Sequence, residues 1–460
     1  MSDFDLVIAG SVVLPTHVAA GGFVAIRDGR VVQVGVGPAP AARERLNFGP
    51  EAFVLSGAID GQTHTLSQPD NEGFDWSTRA AAAGGVTTIV DMPYDAGRLV
   101  STADRFAAKR AEVERDARVD VALYATVHPR DGTRHIAELV GAGACAFKFS
   151  TFCTDPERFP RVPPNVLYDC FAALAPFGLV AGVHNEDDES VRAEIAKVLA
   201  TGRTDALAHA ASRPPYTEML ATAQVYETGA ATGCRAHVVH CSLGRGYDLA
   251  ADYRARGYAA TIEACLHYLV LGDEDLQRLR GFGKFNPPVR GTLERESIWR
   301  HLAADRVTLV STDHVSWSRD RKDRPDMLAC ASGGPALEVL VPLLMTECMR
   351  RGLGPLPVPR LLARAPAELF SLTHVKGALD AGRDADVTVL VPRRSTYSPG
   401  ASGHSIADWS PYEGRVLDYA VEGTWLRGRC VFDGRDVLAG GGFGRFVAAR
   451  GSAGHAGPAT

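Results

Sequence analysis

From about residue 56 to about residue 375 the chain repeats one pattern, a short apolar run followed by a helix-like stretch. The runs are residues 52–59, 87–91, 119–125, 146–150, 179–184, 237–240, 258–263 and 307–313. The stretches between them, such as 102–117 and 215–229, carry helical spacing of apolar residues. Runs this short, apolar throughout and separated by helices, read as parallel strands buried on both faces. Eight strand-then-helix units predict a parallel (β/α)8 barrel of the TIM type, with helices outside. The flanks have a different rhythm. Residues 5–10 and 23–35 are β-branched runs, the second broken by Asp28-Gly29, and β-like runs return at 385–391 and 421–434. We expect these flanks to form a small composite β-sandwich domain, 1–55 plus 376–445, beside a catalytic barrel at 56–375. Residues 446–460, rich in Gly and Ala, read as a flexible tail.

Composition narrows the function. The net charge is −5 with 22% charged residues, and no basic arm or stripe is visible, so nucleic acid is not an expected partner. The N-terminus lacks a basic start followed by an apolar run, and no stretch of about 18 apolar residues offers a membrane span. Nine scattered cysteines without a CxxC pair read as packed free thiols of a reducing compartment. A cytoplasmic protein is expected.

In such a barrel, chemistry sits at the C-terminal strand ends. There the sequence places His64, Lys148, His184, His240, Glu263 and Asp313-His314. Any one has an ordinary structural reading: a packed histidine, an ion-paired lysine, an aspartate capping a turn. Glu263 reads as structural. Their joint placement on separate strand ends predicts a metal centre. Imidazole and carboxylate ligands suit zinc or a similar divalent ion. Such an ion lowers the pKa of a bound water and polarises a carbonyl, while Asp313 could bind metal and act as base and proton shuttle. A lysine inside the mouth makes sense as a carbamate, an anionic oxygen ligand.

Several segments resemble the amidohydrolase superfamily, and within it the cyclic amidohydrolases (allantoinase, hydantoinase and dihydropyrimidinase). The resemblance spans about residues 5 to 440. It is carried by residues 73–93, by Phe147-Lys-Phe-Ser with the later Arg158-Phe-Pro-Arg-Val, and by Val183-His-Asn-Glu. His237-Val-Val-His-Cys-Ser, Glu263-Ala-Cys-Leu-His-Tyr-Leu, Asn286-Pro-Pro-Val-Arg, Ser311-Thr-Asp-His and residues 376–386 fall in the family's order. The allantoinase branch matches best. The resemblance implies a metal-dependent hydrolase that opens a cyclic amide, imide or ureide. It implies Lys148 as an N6-carboxylated bridging ligand, His64, His184 and His240 as ligands, and Asp313 as ligand and catalytic residue. Asn286, Ser332, Thr151 and Phe152 would line the substrate site. It also implies a homo-oligomer, a tetramer or dimer.

The chain departs from that pattern. The family's Asp-x-His-x-His reads Asp60-Gly-Gln-Thr-His, so Gln62 replaces the first histidine. A glutamine carbonyl is a weaker ligand than imidazole. Three outcomes stay open: one metal, two metals with Gln62 as an oxygen ligand, or an inactive scaffold or assembly subunit. A lactam or acyclic amide hydrolase is a further alternative. Asp91-Met-Pro-Tyr-Asp, Leu266 and the charged loop 315–324 also differ from the family, so the pocket is altered and the resemblance speaks to lineage more than to allantoin itself.

Overall fold

A computed structural model describes residues 4–68, 72–400 and 403–450. Its central feature is a ring of eight parallel strands in sequence order: Ala58–Thr63, Val86–Asp91, Asp120–Thr126, Ala146–Ser150, Val180–His184, Arg235–Val238, Ala260–Cys265 and Leu309–Ser311. The first three are buried at every position, as strands covered on both faces must be. The ring closes at its upper rim. Thr63 bridges to His314, and the His64 N–H donates to the His314 carbonyl at 2.8 Å. Below that, the Asp60 carboxylate accepts from the Thr312 N–H at 3.0 Å and from the Thr312 hydroxyl. Burial pushes the Asp60 carboxyl up to about 7, even though the Thr312 bonds pull it down.

Local sequence explains the outer helices. Helix Ala103–Asp116 starts where the Thr102 hydroxyl accepts from the Arg105 N–H, with Asp104 in its first turn. Its inner face is Phe106, Lys109 and Val113, spaced three and four apart. Helix Pro215–Thr232 runs one turn beyond the expected end and stops at Gly233, whose φ is 73°.

Terminal strands Phe4–Val13, Val18–Arg27, Arg30–Val36, Ala42–Asn47 and Phe53–Ser56 join Val387–Thr396, Val416–Leu426 and Arg429–Phe432 in one mixed sheet. Leu6, Ile8, Val24, Val54, Val387, Val389 and Trp425 fill its core. Asp28 and Gly29 both have positive φ, 50° and 72°, which makes the tight turn expected there.

Two expectations are corrected. The run 52–59 is not one strand. Phe53–Ser56 pairs antiparallel with Val387–Leu390 in the small sheet, and Ala58–Thr63 opens the barrel. Gly57 is the joint, because a Cβ there would lie 2.3 Å from the Thr87 hydroxyl. Nor is the tail free from residue 446. The Val447 N–H donates to the Val121 carbonyl at 2.8 Å, and the Phe446 ring packs edge-on against Phe106. Two apolar side chains had a barrel surface to cover; residues 451–460 lie outside the described residues. Among the described residues no helix is long and apolar enough to cross a membrane. All nine cysteines are free, seven of them buried.

Candidate metal centre and its cavity

The barrel mouth opens into a cavity of about 490 Å³. Of the residues expected at the site, Gln62, His64, Lys148, Phe152, His184, His240, Asn286, Asp313 and Ser332 line it. Thr151 does not. Its hydroxyl is spent on the His184 and Glu186 carbonyls, both at 2.8 Å, so it ties the loop after strand four to strand five.

The donors converge in two groups. The His184 Nδ1 and His240 Nε2 atoms face each other at 3.0 Å. Behind His184, its Nε2 meets the Glu186 carboxylate at 2.9 Å, and Arg213 holds Glu186 at 3.0 Å. A carboxylate on the outer nitrogen fixes a ring so that its inner nitrogen can ligate. Glu186 is fully buried, yet Arg213 and His184 outweigh burial and keep it ionised. Burial, with the charges of Lys148 and His184, drives His240 well below its ordinary pKa, so it is the neutral, ligating form. Its Nδ1 is buried without a partner. Lys148 is buried, and among the described residues its amine has no hydrogen-bond acceptor or carboxylate in reach. Burial lowers it to about 8, against the pull of Asp313 and Glu263.

The second group surrounds Asp313. Gln62 Nε2 donates to Asp313 Oδ1 at 2.6 Å, and His64 Nε2 lies 3.3 Å from the same oxygen. Ser67 Oγ, 3.0 Å from His64 Nδ1, orients that ring. Burial would raise the Asp313 carboxyl, but His64, His267 and Lys148 outweigh it and hold it below its usual value. Gln62 Oε1 is left buried without a partner. His240 and Asp313 share a further mark: non-glycine residues with φ of 38° and 51°. Left-handed backbone at a strand end costs energy and collects where a side chain must be aimed.

Unspent buried donors, two histidines facing each other and an unpartnered amine match what a divalent cation binds, so the residues fit a metal. The other acidic cluster does not. Asp120, Asp384 and Asp386 gather ligand atoms within 4.8 Å, but the Lys376 ammonium already touches all three, at 2.5, 3.1 and 2.7 Å.

Sequence reasoning gave no role to Glu186, Arg213, Ser67 or His267. Glu186 stood in Val183-His-Asn-Glu, two residues beyond a ligand candidate, which was the available signal. His267 is buried against the Phe285 ring with both ring nitrogens unpartnered, and burial lowers it to about 3. Glu263 Oε1 accepts from the His240 N–H at 3.2 Å and the Ser311 hydroxyl at 2.7 Å, while its Oε2 is buried without a hydrogen-bond partner. The charged loop after strand eight turns Lys322 inward, where its ammonium grips the carbonyls of Ala331 and Gly333.

No family model matches the chain. An allantoinase of Rubrobacter xylanophilus is 34% identical, over 97% of this chain and 98% of that protein. A dihydroorotase of Halobacterium salinarum is 35% identical over 84% of this chain and 88% of its own length. Among solved structures, an L-hydantoinase from Arthrobacter aurescens superposes with a TM-score of 0.92 at 26% identity, covering 97% of this chain and all of that one.

Proposed function

We propose, from the premise that the chain belongs to the cyclic amidohydrolases of the allantoinase branch, that the cavity at its barrel mouth opens a cyclic amide, imide or ureide ring by metal-dependent hydrolysis. The single observation that carries this for the site is the pair of contacts on Asp313 Oδ1 beside the His184–His240 pair. The relatives are named as enzymes, and nothing in the comparisons supports the scaffold or lactam readings.

Lys148, His184, His240, His64 and Asp313 would hold the metal, zinc by ligand type, with Gln62 Oε1 as a spare oxygen and Lys148 as its carbamate. When bound, the ion polarises the ring carbonyl and acidifies water. The rest is the chain's own work. Both contacts on Asp313 fall on Oδ1, which leaves Oδ2 to take the proton of the attacking water. The same oxygen then returns that proton to the departing ring nitrogen as the C–N bond breaks. Asn286 and Ser332 would position the ring amide, and Phe152 would pack on its face. The lowered pKa of Lys148 supplies free amine near neutral pH, the form that reacts with carbon dioxide. Metal analysis after incubation with zinc, manganese and bicarbonate tests the reading: we expect one or two ions per chain, and less than about 0.2 would contradict it.

A further inference from the structure

Charge on the cavity wall says something about the substrate. Besides Lys148, four cationic side chains line the cavity: Arg158, Arg192, Arg213 and Lys284. Among the described residues of that lining, Asp313 is the one carboxylate. Two of the four are neutralised from behind. Arg213 pairs with Glu186 at 3.0 Å, and Arg192 with Asp188 at 2.8 Å. Arg158 and Lys284 have no carboxylate within 4 Å among the described residues. Lys284 spends its ammonium on the carbonyls of Leu328 and Cys330, at 2.7 and 2.6 Å. Among the described residues Arg158 makes one side-chain hydrogen bond, from Nη1 to the Ser67 carbonyl at 2.8 Å. Asp155 is nearby, but its Oδ1 is taken by the main-chain N–H groups of Glu157 and Arg158.

The loop that presents Arg158 is held firmly. The Phe159 ring sits 3.8 Å from Tyr94 and edge-on to His184 at 5.9 Å. Phe159 N–H donates to the Asp155 carbonyl, while the Phe159 carbonyl accepts from the N–H of Thr154 and of Asp155. A guanidinium carries five donors in a planar fork that matches a carboxylate. Here a half-buried one, with most donors unspent among the described residues, is fixed on a cavity wall whose other cations add to its field.

We infer that the ring substrate carries an anionic substituent, a carboxylate, and that Arg158 receives it. The inference rests on the ring-opening reading and names its substrate class. Lys284 and the backed arginines contribute long-range attraction, while Arg158 makes the contact. The ring stays over the metal centre, and Ser67, bonded to both Arg158 and His64, couples the two positions.

Two probes of nearly equal size isolate the charge: hydantoin-5-acetic acid and its amide. Their dissociation constants would be measured by calorimetry on the metal-loaded wild type, Arg158→Gln and Arg158→Lys, alongside turnover of both and of unsubstituted hydantoin, allantoin and dihydrouracil. The wild type should favour the acid by about tenfold or more, typical of a charge-assisted bidentate contact. That ratio should collapse in Arg158→Gln and persist in part in Arg158→Lys. An acid-to-amide ratio near one in the wild type, or one unchanged in Arg158→Gln, overturns the inference. Turnover of neutral rings with a flat ratio sinks it alone; a binding ratio without any ring opening sinks the parent reading and leaves Arg158's role standing.

Discussion

Two buried lysines stand at opposite ends of one barrel, in opposite surroundings. At the floor, Lys376 lies among Asp120, Asp384 and Asp386, with Arg427 completing the knot on Asp120. Burial alone would lower its pKa, but three carboxylates outweigh that and raise it. At the mouth, Lys148 is as deeply buried and has no carboxylate in contact among the described residues, so burial wins and lowers it to about 8. The floor is a finished structural joint between the start of strand three and the small sheet. The mouth holds unfinished chemistry: an unpartnered amine, a histidine nitrogen and an amide oxygen without partners. Counting acids near one another picks the floor as the cation site. Asking which donors are already spent picks the mouth.

The largest expected effect separates the ends by function. Asp313→Ala should lower ring-opening kcat/KM by about 10³-fold or more, the scale of a lost proton shuttle, while the melting temperature stays close to wild type. Lys376→Met should do the reverse. It leaves uncompensated buried carboxylates at a cost of about 3–5 kcal/mol in denaturant unfolding, with metal content unchanged in the protein that stays folded. A stable Lys376→Met protein would break the contrast.

Next comes pH. In metal-free protein the Lys148 pKa of about 8 lies below its unfolded value of 10.5, so the unfolded chain binds more protons between those limits. The stability penalty is fully present below pH 8 and is relieved as pH rises toward 10.5, by up to about 3 kcal/mol. Lys376, raised above 10.5, contributes stability that is lost as pH climbs through its folded pKa. Wild type minus Lys148→Met should therefore rise between pH 8 and 10.5 in chemical unfolding; a flat difference would contradict the assignment. The smallest effect is Gln62→His, which supplies the histidine that the resemblance leads one to expect there. It should raise bound metal toward two ions per chain, read by elemental analysis, and unchanged content would show that Gln62 already ligates or that this position is not used.

The sequence carried the barrel because eight apolar runs separated by helices leave few other folds, and the mouth residues stood out as polar side chains ending those runs. What it could not carry was direction. Apolar character does not show that Gly57 splits one run between two sheets, since the reason is a close approach of Thr87 from 30 residues away. The resemblance put Thr151 in the pocket, yet its hydroxyl turns to two backbone carbonyls. Lys322 sits in the charged loop after strand eight, and nothing in that run of charges shows that this one side chain is buried. Gln62 was legible as a missing ligand and illegible as a donor to Asp313, because that needs the partner across the closed rim.

The central claim is that this mouth opens cyclic amides and needs its metal to do so. The direct measurement is ring opening of a panel of hydantoins, dihydropyrimidines and allantoin by wild type as purified, after chelation, and after reloading with zinc or manganese and bicarbonate. The account predicts turnover that disappears on chelation and returns on reloading. Turnover that survives complete metal removal, or a fully loaded protein that opens none of these rings, would contradict it.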